Sequence, residues 1–374
     1  MSHYASKPKK RPTIFSDFPQ FAFSRVLRIL FVLAFSLLTL LPLKTSAADN
    51  REPGQRLSKR CGRDKEEDVK QQADAMLASQ QVQAGDEIWL VSSRSIANCS
   101  ADVAGLCWYQ LANGCLEPRT FADFQAAHES EPLTRSLFYA HGNNTNAAAA
   151  IVGGLTVYQN LFLQRNETTR VRYVIWSWPS EKEIFPIGKD ADLKSRRAVS
   201  EGVTMRSVLD QLNGPRPILL GYSFGGQVVV SALQSPTENS NSEPYCVTLI
   251  APGLNRDFIH CELDREMLAV NTMQMNAFVN RKDKVIWANN RNYCRRKYRG
   301  SGMCDHRISS KVGTPDYLSE FELGSDRCAK HSIALYSQNS NVVAGIRRQL
   351  ECCGVEPELG DWIEAPLSGE LMSD

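Results

Sequence analysis

The stretch RPILLGYSFGGQVVVSAL, from Arg216 to Leu233, holds two apolar runs of different period separated by a glycine-bracketed serine. "PILL" is a short continuous apolar run, the pattern of a strand buried on both faces, and "QVVVSAL" opens a helix. Between them "GYSFG" fits G-x-S-x-G with Ser223 at its centre. A strand, a serine and a helix in that order describe a strained turn that lifts the hydroxyl above a sheet. Side chains at Gly221 and Gly225 would collide where the helix folds back over the strand. The bland alternative is a glycine-rich turn whose serine caps the helix. The apolar runs on both flanks favour the catalytic turn.

The same alternation continues outward. "DEIWLVSSRSI" reads as a strand, and "CWYQLANGC" as a second strand or a hairpin arm. "SLFYAHGNN" is an apolar run that ends in a polar turn, "TNAAAAIVGGLTVYQNLFLQ" a helix, and "RVRYVIWSWPS" a β-branched and aromatic run. "DLKSRRAVSEGVTMRSVLDQLN" is an amphipathic helix; "YCVTLIAPGL" and "MNAFVNRKDKVI" read as strands, and "NVVAGIRRQLEC" as a late helix. Strands alternating with helices imply right-handed βαβ units: an α/β fold with a mostly parallel central sheet and helices on both faces. No Pro/Gly/Ser-rich linker divides this region, so residues 86–351 are expected to form one domain. A polar leading segment, 49–85, precedes it and carries a short exposed helix with a thin stripe of Val69, Ala73, Met76 and Leu77. Residues 352–374 read as a tail.

The first 48 residues have a different character. "SKPKKRP", Arg25 and Arg28 precede an apolar run from Ile29 to Leu41, followed by Pro42 and "KTSAAD". A basic leader, a short apolar core and small residues describe an export signal cleaved after Ala47 or Ala48. The run is short for a membrane span, so an uncleaved N-terminal anchor is the alternative and the one expected route to a membrane. All 11 cysteines follow this segment, as suits an oxidising compartment where disulfides decorate the ends of the fold. The odd number leaves one thiol over. None of their spacings is that of a zinc site, so no metal is expected. With a net charge of +2, nothing points to nucleic acid as a partner.

A serine at its free pKa is a poor nucleophile and needs a base and an orienting acid. Chain order after such a turn runs Ser, Asp or Glu, then His. Three histidines lie downstream. His331, in "RCAKHSIALY", ranks first as base, with His306 and His260 open behind it. Asp283, just past "MNAFVNRK", is the leading acid, with Asp257, Asp264, Asp316 and Asp326 as other carboxylates. An oxyanion needs two donors. The N–H of Phe224 is one, and the N–H of Asn143 in "YAHGNN" the other, with Gly142 letting the backbone approach. His141 is upstream of the serine and shapes that loop. His141, Tyr222 and Trp178 are the candidates to line a substrate cleft. "RNYCRRKYRGSGMCDHR", Arg291 to Arg307, concentrates positive charge; a solvated insertion is the simpler reading, steering of an anionic substrate the sharper one.

"LFYAHGNN", "VIWSWPS" and "ILLGYSFGG", in this order and at these separations, resemble the uncharacterised bacterial α/β-hydrolases of domain-of-unknown-function family 900. The likeness covers roughly Glu87 to Leu254 and is weaker through Asp283 and His331. It implies an α/β-hydrolase fold with a Ser/Asp/His site and says little about substrate. Asn143 stands where that family often has an aromatic residue, and the cysteine-rich region after Asp283 has no counterpart. The reading that follows is an exported serine hydrolase, esterase-like, cleaving an ester, thioester or amide of a small-molecule or lipid-like acyl substrate without a cofactor. Acyl transfer by the same residues is one alternative. A non-catalytic binding protein on the same scaffold is another.

Overall fold

A computed structural model describes residues 71–94, 105–131, 134–163, 165, 169–183, 187–235, 243–254, 265–286, 316–324 and 330–352. The proposed export signal, the basic stretch Arg291 to Arg307, His260, His306 and the tail beyond Cys352 lie outside them.

The strands are β1 (Glu87–Ser92), β2 (Cys107–Ala112), β3 (Cys115–Arg119), β4 (Thr134–Ala140), β5 (Arg170–Ser177), β6 (Ile218–Tyr222), β7 (Tyr245–Ile250), β8 (Thr272–Val279) and β9 (Leu318–Glu322). The helices are α1 (Phe121–Ser130), α2 (Ala147–Phe162), α3 (Ile187–Leu209), α4 (Gly225–Gln234), α5 (Arg265–Asn271), α6 (Ile333–Tyr336) and α7 (Ser340–Cys352). They form an α/β-hydrolase architecture around one nine-stranded sheet, in the order β3-β2-β1-β5-β4-β6-β7-β8-β9. From β1 to β9 all neighbours pair in parallel, and β2 and β3 extend the sheet antiparallel.

Period-2 alternation sorts the central strands between two cores. Phe138, Ala140, Val174, Trp176 and Leu219 face one side, packed under α1, α3 and α4. Leu137, Tyr139, Tyr173, Ile175, Ile218 and Leu220 face the other, under α2, α6 and α7. Every residue of β6 is buried, as a strand covered on both faces requires.

Two local features sharpen the sequence expectation. "CWYQLANGC" is a hairpin arm, β2, with its turn into β3, where Asn113 and Gly114 reverse the chain with φ of 51° and 76°. Positive φ at both central residues is the type I′ geometry whose twist matches a hairpin. Residues 71–79 are helical but not simply exposed: Ala73 and Leu77 are buried, and Leu77 joins the α2-side core. Two elements go beyond the sequence expectation. One is α1, opened by a capping box between Thr120 and Asp123; the other is the edge strand β9.

This topology fixes where a site belongs. From β4 the chain adds β5 on one side, then crosses back to place β6 on the other. At such a switch point the loops leaving the carboxyl ends of neighbouring strands diverge and open a crevice. The loops after β4 and β6 are "HGNN" and the Ser223 turn.

Candidate active site

Ser223 sits at the end of β6 with φ 53°, a left-handed conformation that is strained for a residue with a Cβ. Three backbone hydrogen bonds hold it there. Ser223 N–H donates to Ile250 O (3.0 Å), and Ser223 O accepts from Gly226 N–H (3.0 Å) and Gly253 N–H (2.8 Å). The flanking glycines are sterically required. A Cβ on Gly221 would lie 2.7 Å from Gly226 Cα, and one on Gly225 2.0 Å from Ala140 O. Helix α4 therefore starts directly against the end of β4.

His331 Nε2 lies 3.0 Å from Ser223 Oγ, and His331 Nδ1 lies 2.7 Å from Asp283 Oδ2. Asp283 follows β8, is 1% exposed, and accepts at Oδ1 from the N–H groups of Val285 (3.0 Å) and Ile286 (3.1 Å). An acceptor carboxylate at Nδ1 fixes the tautomer with Nε2 free to accept from a serine hydroxyl. His331 also has positive φ, 48°. Three residues far apart in the chain thus meet in the order Ser, His, Asp.

The "HGNN" loop abuts the serine: a Cβ on Gly142 would lie 2.9 Å from Ser223 Cβ. His141 braces this loop from within. Its Nδ1–H donates to Gly142 O (2.9 Å) and its Nε2 accepts from Trp178 N–H (3.2 Å). The Trp178 indole stacks on the imidazole at 5.6 Å and donates to His141 O (2.8 Å). Burial, reinforced by the nearby Arg94 charge, pushes the His141 pKa down to about 3, so the ring is neutral. Trp178 is fully buried beneath the loop and does not face a cleft. Tyr222, also nearly buried, stacks on His331.

Two further supports were not singled out as site residues in the sequence, although Ser180 ends the "VIWSWPS" stretch. The Ser180 hydroxyl donates to Gly142 O (2.9 Å). Arg94, after β1, donates to Thr145 O (3.0 Å) and Ser177 Oγ (2.8 Å) and pairs with Glu181. On the other side of the serine, the Phe224 N–H stands at the N-terminus of α4. Neither this group nor the Asn143 N–H has an acceptor among the described residues. Donors without an acceptor, one on the residue after the serine and one in the loop that abuts it, suit developing negative charge on a carbonyl oxygen.

The model of a family described as alpha/beta hydrolase of unknown function (DUF900) matches residues 120–292. That segment, a little under half of the chain, is similar to this family. The matched segment carries Gly142, Asn143, Ser223 and Asp283, whereas His331 lies beyond it. A solved structure described as a crystal structure of EstE5-PMSF (I) aligns with 87% of this chain and 99% of its own, at 12% identity and a TM-score of 0.33. At that score the likeness carries no argument about function. No curated protein matches the chain. Among the described residues, no helix is long and apolar enough to cross a membrane.

Proposed function

We propose that this protein is an exported serine hydrolase that cleaves an ester, thioester or amide through an acyl-enzyme on Ser223. The observation that carries the reading is the Ser223–His331–Asp283 relay, with contacts of 3.0 and 2.7 Å. Ser223 Oγ attacks the carbonyl carbon as His331 Nε2 takes its proton, and Asp283 holds the imidazolium that forms. The oxyanion rests on the N–H groups of Phe224 and Asn143. Collapse of the tetrahedral adduct breaks the bond to the leaving group, which takes the proton from His331. A water molecule, deprotonated by the same nitrogen, then releases the acyl group as an acid and restores Ser223. Export rests on the leader of residues 1–48, and N-terminal sequencing of the mature protein should begin after Ala47 or Ala48.

A fluorophosphonate probe should label the folded, oxidised protein at Ser223 and leave Ser223→Ala unlabelled. Absence of labelling in the wild-type protein would count decisively against the acyl-enzyme.

A further inference from the structure

The His331–Asp283 contact joins residues 48 positions apart. His331 stands in a strained backbone conformation immediately before a four-residue helix, α6. A helix that short has little stability of its own, so something else must hold the base in register with the acid.

Two tyrosines close over the pair. Tyr336, the last residue of α6, is fully buried, and its hydroxyl donates to Asp283 Oδ2 at 2.9 Å. This is the same oxygen that accepts from His331 Nδ1. Tyr222, directly before the serine, stacks on the His331 ring with centroids 5.2 Å apart, and its hydroxyl donates to the His331 carbonyl at 2.8 Å. The two tyrosine rings lie 6.5 Å from each other. Burial raises the Tyr222 phenol well above its ordinary range, so it stays a donor. Helix α6 is itself fastened to α2: the Asn160 side-chain amide donates to Ser337 Oγ at 2.8 Å. The aim of Tyr336 is therefore set by helix packing.

We propose that Tyr336 and Tyr222 are positioning residues for the base, Tyr336 by sharing Asp283 Oδ2 with the His331 Nδ1–H and Tyr222 by anchoring the His331 ring and carbonyl. With Tyr336 in place, each carboxylate oxygen receives two hydrogen bonds, and the carboxylate plane cannot rotate without breaking all four. Without it, Oδ2 answers to His331 alone. The inference rests on the serine-hydrolase reading for its catalytic consequence, although the geometry it describes does not.

Tyr336→Phe removes one oxygen and keeps the ring volume. In esterase assays it should lower kcat on the order of ten-fold. KM should stay unchanged, because the hydroxyl is placed to act through Asp283 and not on the substrate. Tyr222→Phe, which keeps the ring stack, should also lower kcat with KM unchanged. The spectroscopic arm is the low-field proton resonance of His331 Nδ1–H, assigned by its loss in His331→Gln. In Tyr336→Phe it should move further downfield, since Oδ2 then gives its charge to one donor in place of two. It should hold its place in Tyr222→Phe, whose hydroxyl bonds the carbonyl. An unmoved resonance in Tyr336→Phe overturns the proposal for Tyr336, and an unchanged kcat in Tyr222→Phe overturns it for Tyr222. If no ester is turned over by the wild-type protein, the hydrolase reading fails, and the resonance still decides what Tyr336 does to Asp283.

Discussion

Ser223 shows how one residue can concentrate both backbone strain and a proposed nucleophile. A left-handed conformation costs an L-residue roughly 1–2 kcal/mol, and the three backbone hydrogen bonds around Ser223 hold it against that preference. Glycine would adopt the same φ without strain. Ser223→Gly should therefore be more stable than Ser223→Ala by about 1 kcal/mol in urea denaturation, while both lose probe labelling. Equal stability would show that the turn is relaxed and that the strain argument is wrong. His141 acts at the same scale through the loop it braces. Its place upstream of the serine marks it as loop-shaping in the sequence, and the structure gives it partners on Gly142 and Trp178. His141→Ala removes the ring's bonds to Gly142 and Trp178 and frees the proposed oxyanion loop. Steady-state kinetics should show kcat falling roughly a hundred-fold or more, the usual cost of losing an oxyanion donor, with the smaller effect on KM.

At the scale of elements, the contact between α4 and the end of β4 decides whether the turn can form. Gly225→Ala would place a methyl 2.0 Å from Ala140 O, a backbone atom that cannot swing away. Its destabilisation should reach about 3 kcal/mol, the upper end of overpacking. Gly153 in α2 is the control: nothing lies within 4 Å of where an added methyl would stand, so Gly153→Ala should stabilise by roughly 0.5–1 kcal/mol. Thermal melts of the two variants should move in opposite directions. This turn was legible because its determinants are local: apolar strand, glycines and helix occupy 18 consecutive residues. Elements whose formation is decided elsewhere were not legible. Strand β9 exists because β8 offers a parallel edge from Met275 to Val279, which "LSEFE" cannot announce by itself. Helix α1 did carry a signal, the Thr120–Asp123 cap. At the site, chain order ranked His331 above His260 and His306. Nothing short of the fold could show that Tyr336, Ser180 and Arg94 reach Asp283, Gly142 and Thr145, because each contact depends on which strands become neighbours.

The whole molecule answers to pH through two histidines that the fold buries uncharged. Burial, with Arg172 nearby, lowers the His128 pKa to about 4, and burial with Arg94 nearby lowers that of His141 to about 3. In the unfolded chain both titrate near 6.5. Folded values therefore lie below unfolded ones, so as pH falls the unfolded state takes up protons first and folding weakens. The loss begins near pH 6.5 and continues until the folded values are reached. By pH 5 it amounts to on the order of 2 kcal/mol for each histidine. His128 lies on α1, and its Nδ1 is 2.8 Å from Ser136 Oγ on β4, away from the serine, so it can be changed without touching the proposed chemistry. Chemical denaturation at pH 7.5 and pH 5 should show a marked drop for the wild-type protein and a drop smaller by about 2 kcal/mol for His128→Gln. The variant itself should start lower at pH 7.5, since it trades a buried aromatic partner of Phe124 for a flexible amide. Its curve should nevertheless be flatter. A parallel displacement of the two stability profiles, with no change of slope, would mean that the acid sensitivity of the fold lies in other groups.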